Sequence, residues 1–462
     1  MKPSLTRELH FSLVKAYYQL IPLPEDREHL TWGTASNAFG YLIPFFFMAY
    51  LTRRRDTYLI RLLLLPTTAV MILRGTYGYG GYDPQFAFFT WIRGLAGLTA
   101  LALTLQYALT PEGTLRVNES SLPAINEPSL QHTEDEPSKT QESKAKSSSS
   151  IFPFWFSDTL DLISSMRGIG WQFGRGVFIP KDHRPHQRGP FLLTTLRTFF
   201  LNFLLMDLSL VIFHLIPGIG SPGGGSLYFT NLPLVPRQLI ALAITILSAL
   251  ALIPGFRVLE CIPTLIGVGL LGHSPSQYPP IEMNPWGADS LHDFWGKRWH
   301  QTLRQTFLIF GGYPGRFFFG RTGWVLGTFL ASGLFHEYGT YVLDKGLDHR
   351  VTAFFFLQGV GMMIEKVYSR TTGRRVKGLL GRLWTYLFVL GLGQLTLDAW
   401  FTRGLAGGII IPPAISPSTK FVFPIVKRLL KSYTRSLLYD EIRESHTLLI
   451  HVIPHGDFGA EY

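Results

Sequence analysis

The chain has 462 residues, 47% of them hydrophobic and 14% aromatic against 16% charged, and the apolar residues fall in long blocks, the composition of a polytopic membrane protein. The 42 Lys and Arg against 31 Asp and Glu give a formal charge of +11. In such a chain that excess suits cytoplasmic loops and anionic headgroups better than nucleic acid, and no basic run interleaved with aromatics of the RNA-binding kind occurs. The one cysteine, Cys261, sits in an apolar run. It excludes an intrachain disulfide and is a poor setting for an acyl-cysteine intermediate.

Met1 to Thr31 carries Glu8, Glu25, Asp26 and Glu28 and lacks a signal-peptide pattern, so targeting, to the endoplasmic reticulum by expectation, falls to the first membrane span. Apolar stretches long enough to cross occur near 34–52, 57–73, 86–109, 191–215, 237–254, 256–272, 322–343, 351–367 and 383–403. They predict an all-α transmembrane bundle of about eight or nine spans. Only Pro254 and Gly255 separate the fifth and sixth stretches, which read as a tight hairpin, a broken helix or one re-entrant element. Arg53, Arg54 and Arg55 place the loop after the first span in the cytoplasm and the N-terminus opposite; the third span then delivers 110–190 to the cytoplasm.

Domain boundaries follow composition. Residues 1–110 hold the N-terminal spans. Residues 111–150, rich in Ser, Glu, Pro and Lys, form a disordered polar linker whose Asn118-Glu119-Ser120 sequon would go unused on the cytoplasmic side. A membrane domain covers 151–416, opening with an interfacial helix over 151–166. Residues 417–462 form a basic amphipathic tail in which Lys420, Lys427, Arg428, Lys431 and Arg435 alternate with apolar residues. The glycine-rich stretch Pro217 to Pro233 lacks the Gly-Lys-Ser/Thr ending of a phosphate loop and reads as a non-cytoplasmic connection.

Two segments carry chemistry. Leu291 to Phe307, LHDFWGKRWHQTLRQTF, is too polar to cross a membrane and belongs at the interface. On a helix His292, Trp295 and Trp299 share one face, and Asp293, Gly296, His300 and Arg304 another. An aromatic belt with snorkelling arginines would not need the His and Asp. The second segment is Gly333-Leu334-Phe335-His336-Glu337-Tyr338-Gly339, inside the apolar run Gly323 to Leu343. A histidine at that depth marks either a functional site or a packing hydrogen bond to a neighbouring helix. Glu337, offset by about 100° on the helix, cannot orient His336 and is expected to pair with a cation from a loop or another helix. A shared metal is disfavoured: His292 and His300 would lie about 12 Å apart along a helix. His183 and His186 sit among Lys181, Arg184 and Arg188, a cluster better suited to anions.

Asp293-Phe294-Trp295-Gly296-Lys297-Arg298-Trp299-His300, followed by His336 in an apolar span, resembles the wax-synthase-like branch of the membrane-bound O-acyltransferase superfamily. Arg167-Gly168-Ile169-Gly170-Trp171 resembles a motif upstream of the catalytic region in fungal members, so the resemblance covers about Arg167 to Trp400. It implies a membrane enzyme with no bound cofactor that moves an acyl group from acyl-CoA to a hydroxyl. The acceptor it implies is hydrophobic, a terpenoid-like alcohol acetylated in fungal secondary metabolism or a fatty alcohol esterified to a wax. It also implies His336 as the catalytic histidine and His300 at the upstream position where Asn or His is common.

A buried neutral His336 would take the hydroxyl proton as the oxygen attacks the thioester, while His300 would donate to the acyl oxygen or orient the acceptor. Asp293, Trp295, Trp299 and His292 are expected to contact substrate. Lys297, Arg298 and Arg304, with Arg316 and Arg321, are expected to hold the coenzyme phosphates at the cytoplasmic face. A transporter or lipid-binding protein, the rival from another class, would show inverted repeats, and none is visible.

Overall fold

The computed structural model describes residues 5–81, 83–123 and 153–429. Among these, four helices are long and apolar enough to cross a membrane: Tyr58–Tyr77, Pro84–Leu109, Arg188–His214 and Leu234–Leu270. The protein is an integral membrane, mostly helical chain. In chain order α1 is Leu5–Leu20, α2 Ala35–Phe39, α3 Leu42–Leu51, α4 Tyr58–Tyr77, α5 Ala87–Leu109, α6 Phe154–Ser164, α7 Arg188–His214 and α8 Leu234–Thr264. Two-residue strands β1 (Glu28–His29) and β2 (Tyr79–Gly80) pair in parallel. Helices α4 and α5 pack as one pair and α7 and α8 as another.

The predicted break at Pro254-Gly255 does not occur. Helix α8 runs through Pro254 and Pro263 and continues as a π-helical turn, Leu265–Leu270. A proline inside a helix loses one hydrogen bond, whereas a chain reversal in an apolar layer would leave several backbone groups unpaired, so one long helix replaces two spans.

The segment expected to be one helix over 291–307 is irregular. A single turn, α9 (Leu291–Asp293), passes into a π-helical turn over Phe294–Arg298, and Trp299 is extended (φ −77°, ψ 148°) before α10 (Arg304–Phe307). The two predicted helical faces therefore do not exist. After a second π turn, Leu308–Gly312, comes α11 (Tyr313–Tyr341), sharply kinked at Phe319 and Gly320, where Gly320 takes φ 60°. The kink folds 308–318 back against 323–331. There Gly311 meets Gly327 and Gly315 meets Gly323 so closely that a Cβ on Gly311 would lie 2.0 Å from the Gly327 carbonyl oxygen and one on Gly315 2.1 Å from that of Gly323. Two small-x-x-x-small faces thus bring backbones into contact, the packing that apolar surroundings favour. Helix α12 (Arg350–Thr372) packs along α11, followed by α13 (Gly378–Tyr386), a π turn and α14 (Gly393–Phe401).

The first part of the predicted linker is packed. Arg53, nearly buried at the end of α3, pairs with Glu119 at 2.7 Å and with Asp158 of α6 at 2.8 Å, and Thr52 bonds Thr114. Arg116 bridges to Trp171, so 111–123 and the Gly168–Trp171 turn form one surface. The arginines read as a topology signal thus also serve internal packing. Residues 124–150 of the predicted linker lie outside the described residues. A second compact unit begins at Ile411 and is helical from Ser418 to residue 429; the rest of the predicted basic tail is not described.

Gly327→Leu is expected to lower stability by about 3 kcal/mol or more, since two backbones must part to admit the side chain. Gly189→Ala, where nothing approaches within 4 Å, is expected to leave it nearly unchanged. Thermal unfolding of the detergent-solubilised protein checks both.

Candidate active site

His336 projects from α11 into a mostly apolar cavity of about 510 Å³ with many aromatic side chains in its wall. Its Nδ1 lies 2.7 Å from the Ser332 carbonyl oxygen one turn earlier. Because a carbonyl only accepts, Nδ1 carries the proton and Nε2 keeps its lone pair. The Phe355 ring of α12 lies parallel to the imidazole, 4.4 Å between centroids and 14° between planes, with Trp400 of α14 at 6.3 Å. Both fix the ring plane.

His300 lines the same cavity. The extended backbone at Trp299 turns it inward, where its ring lies 4.2 Å from that of Phe256 on α8, and its Nδ1 is buried without a hydrogen-bond partner among the described residues. Burial, and then the neighbouring His336, push the His300 imidazole down to about 3, so it is neutral at physiological pH. Two imidazoles, each with an uncommitted ring nitrogen, share one largely apolar chamber.

The irregular backbone that presents His300 is held by polar side chains from elsewhere. Glu365, in the apolar middle of α12, accepts from the Leu291 N–H at 2.6 Å, the His292 N–H at 3.0 Å and the Trp384 indole at 3.0 Å. Gln358, two turns earlier, accepts from the Trp295 indole at 3.2 Å. Gln301 donates to the Trp295 and Trp299 carbonyls at 2.8 and 3.0 Å. Glu365 thus caps the first N–H groups of α9, Gln301 satisfies two carbonyls of the irregular stretch, and Gln358 holds the Trp295 side chain.

The structure gathers His292, Trp295, Trp299, His300, Arg304 and His336 at the cavity. His292 is exposed as well, so the cavity reaches the surface there. Three predicted residues fall elsewhere. Asp293 is ion-paired with Arg298, which also donates to the Asn284 carbonyl, and neither these two nor exposed Lys297 line the chamber. Of the wider basic set, Arg316 lies over the Trp324 ring. The cation expected to pair with Glu337 is not found among the described residues; its carboxylate accepts instead from the Asp348 N–H and the Thr352 hydroxyl. In the 181–188 loop Arg184 pairs with Asp182, and Arg188 donates to the Val268 and Gly269 carbonyls, which closes the proposed anion cluster. Among the described residues no group of His, Cys, Asp and Glu could hold a metal.

Sequence reasoning missed Ser332, Phe355, Trp91, Thr396 and Trp400, which complete the chamber. For Gln358 and Glu365 a signal was available, since polar groups inside an apolar helix call for partners.

A family model described as membrane bound O-acyl transferase family matches residues 278–358, the stretch that contains both histidines. This segment is similar to that family. Among proteins similar to the chain, the O-mevalon transferase yanI of Aspergillus niger is 28% identical over 235 residues, 45% of this chain and 51% of that protein. The acetyltransferase eriL of Hericium erinaceus is 24% identical over 270 residues, 55% and 69%. A probable long-chain-alcohol O-fatty-acyltransferase of Arabidopsis thaliana is 31% identical over 147 residues, 30% and 44%. The chain thus spans about half the length of the first of these. No solved structure gives a significant match.

The Glu365 contacts are expected to set the position of His300. Glu365→Ala leaves two backbone N–H groups and an indole unpaired, with an expected loss of about 2–3 kcal/mol. Thermal unfolding would show it, and a shift no larger than that of an exposed-site control would contradict this role.

Proposed function

We propose that the protein is an acyl-CoA-dependent O-acyltransferase that transfers an acyl group, acetyl in the preferred reading, to the hydroxyl of a hydrophobic acceptor of the terpenoid or related secondary-metabolite kind. The observation that carries this reading is the pairing of His336 and His300 at one apolar cavity within the segment that matches the O-acyltransferase family. The relatives named acetyltransferase and O-mevalon transferase support small acyl or oxygenated substrates. The long-chain-alcohol relatives keep a wax-ester synthase as the second reading.

His336 Nε2 accepts the proton of the acceptor hydroxyl while that oxygen bonds to the thioester carbonyl carbon. The oxyanion that develops receives a hydrogen bond from whichever His300 nitrogen bears the proton. As the carbon–sulfur bond breaks, coenzyme A leaves as a thiolate, and the His336 proton makes it the free thiol. Neutral imidazoles suit both roles, and exclusion of water strengthens the hydrogen bond to the oxyanion.

The coenzyme is assigned to the cytoplasmic face. One crossing by 234–270 in place of two moves 273–321 to the side of the Arg53 loop, which supports that assignment. Arg304, which lines the cavity, is the preferred contact to the coenzyme's phosphates, with Lys297 near the surface. The endoplasmic reticulum is the proposed membrane.

Membranes carrying wild type or His336→Ala, given acetyl-CoA and a panel of alcohols, are expected to differ by about 10²- to 10⁴-fold in acceptor-dependent thiol release. Equal release from both would overturn the assignment of His336.

A further inference from the structure

Beyond the two imidazoles, the chamber has a polar corner on the α5 and α14 side of His336. Thr396 and Trp400 stand one turn apart on the same face of α14, and both line the cavity. The Trp400 ring lies 6.3 Å from the His336 ring and 5.3 Å from that of Trp91 on α5, which lines the cavity too. All three carry a polar atom, Trp91 Nε1, Thr396 Oγ1 and Trp400 Nε1, that is buried with no hydrogen-bond partner among the described residues. The other polar side chains of α14 are paired, Gln394 with Tyr228 and Asp398 with Ser226 and Arg350. Leaving two indole donors and a hydroxyl unpaired at one corner of an apolar chamber is unfavourable unless something supplies the missing oxygen.

We propose that Trp91, Thr396 and Trp400 form a recognition site for a second oxygen on the acceptor, a hydroxyl or carbonyl held within a ring's breadth of the hydroxyl that reacts at His336. The inference deepens the acyl-transfer reading and rests on it for the identity of the occupant. It selects among the acceptors that reading allows. An oxygenated polycyclic or terpenoid alcohol satisfies the corner, whereas a saturated fatty alcohol offers one hydroxyl, already used at His336, and only hydrocarbon to meet three polar groups. Sites built to hydrogen-bond a substrate oxygen discriminate strongly against analogues that lack it, because the protein groups are then left unpaired.

The test measures binding and turnover separately, on the full chain purified in detergent, with menthol and a diol of the same skeleton as probes. Equilibrium dialysis gives the two affinities and thiol release from acetyl-CoA gives the two rates. Wild type is expected to bind the diol at least tenfold more tightly than menthol. Trp400→Phe, which keeps the ring and removes the N–H, and Thr396→Val, which keeps the shape and removes the hydroxyl, are each expected to bring the ratio of affinities toward one. Equal affinity of the wild type for both probes, or a preference for the diol that neither variant reduces, overturns the proposal. A diol preference that both variants reduce, without thiol release from either probe, upholds the recognition site while removing the acyl-transfer reading.

Discussion

Non-helical backbone inside an apolar bundle must have its polar groups paired by the protein itself, and the architecture of this site follows from that constraint. Residues 291–303 give up regular helix in order to turn the Trp299–His300 corner inward. Glu365 accepts from the Leu291 and His292 N–H groups, Gln301 donates to the Trp295 and Trp299 carbonyls, and Gln358 holds the Trp295 indole. Two of these three come from α12, so α12 fixes both the backbone that carries His300 and, through Phe355, the ring of His336. One helix therefore registers two catalytic candidates against each other.

The second requirement is to bring α11 close without bulk. The glycine faces at 311/315 and 323/327 let the chain fold back on itself at Gly320, and the helix that emerges carries His336 at the depth of the chamber. Burial then does chemical work. In the proposed acyl transfer a neutral imidazole can accept a proton where an imidazolium could not, and apolar walls exclude the water that would compete with an alcohol for the thioester.

Much of this was legible in the sequence because it is local. Most of the long apolar stretches became helices near their predicted bounds, and a histidine in an apolar run beside a Trp- and His-rich segment pointed to the residues that meet at the cavity. What was not legible depends on partners distant in sequence. The start of 291–303 is anchored by Glu365, more than seventy residues on, and periodicity alone favours a regular helix there. Nothing local in the sequence reveals that Arg298 turns back to pair with Asp293. The glycine hairpin was hidden because its two halves are ordinary small residues until they face each other. Pro254 misled in the opposite direction, as a helix breaker that an apolar environment overrides.

The central claim is that His300 and His336 act on one reacting centre. A double-mutant cycle on acceptor-dependent thiol release, with His300→Ala, His336→Ala and the double variant, tests it most directly. Residues that act as a unit are strongly non-additive, so the double variant is predicted to be little slower than His336→Ala alone. Multiplicative losses from the two substitutions would mean that the histidines act independently and would contradict the account.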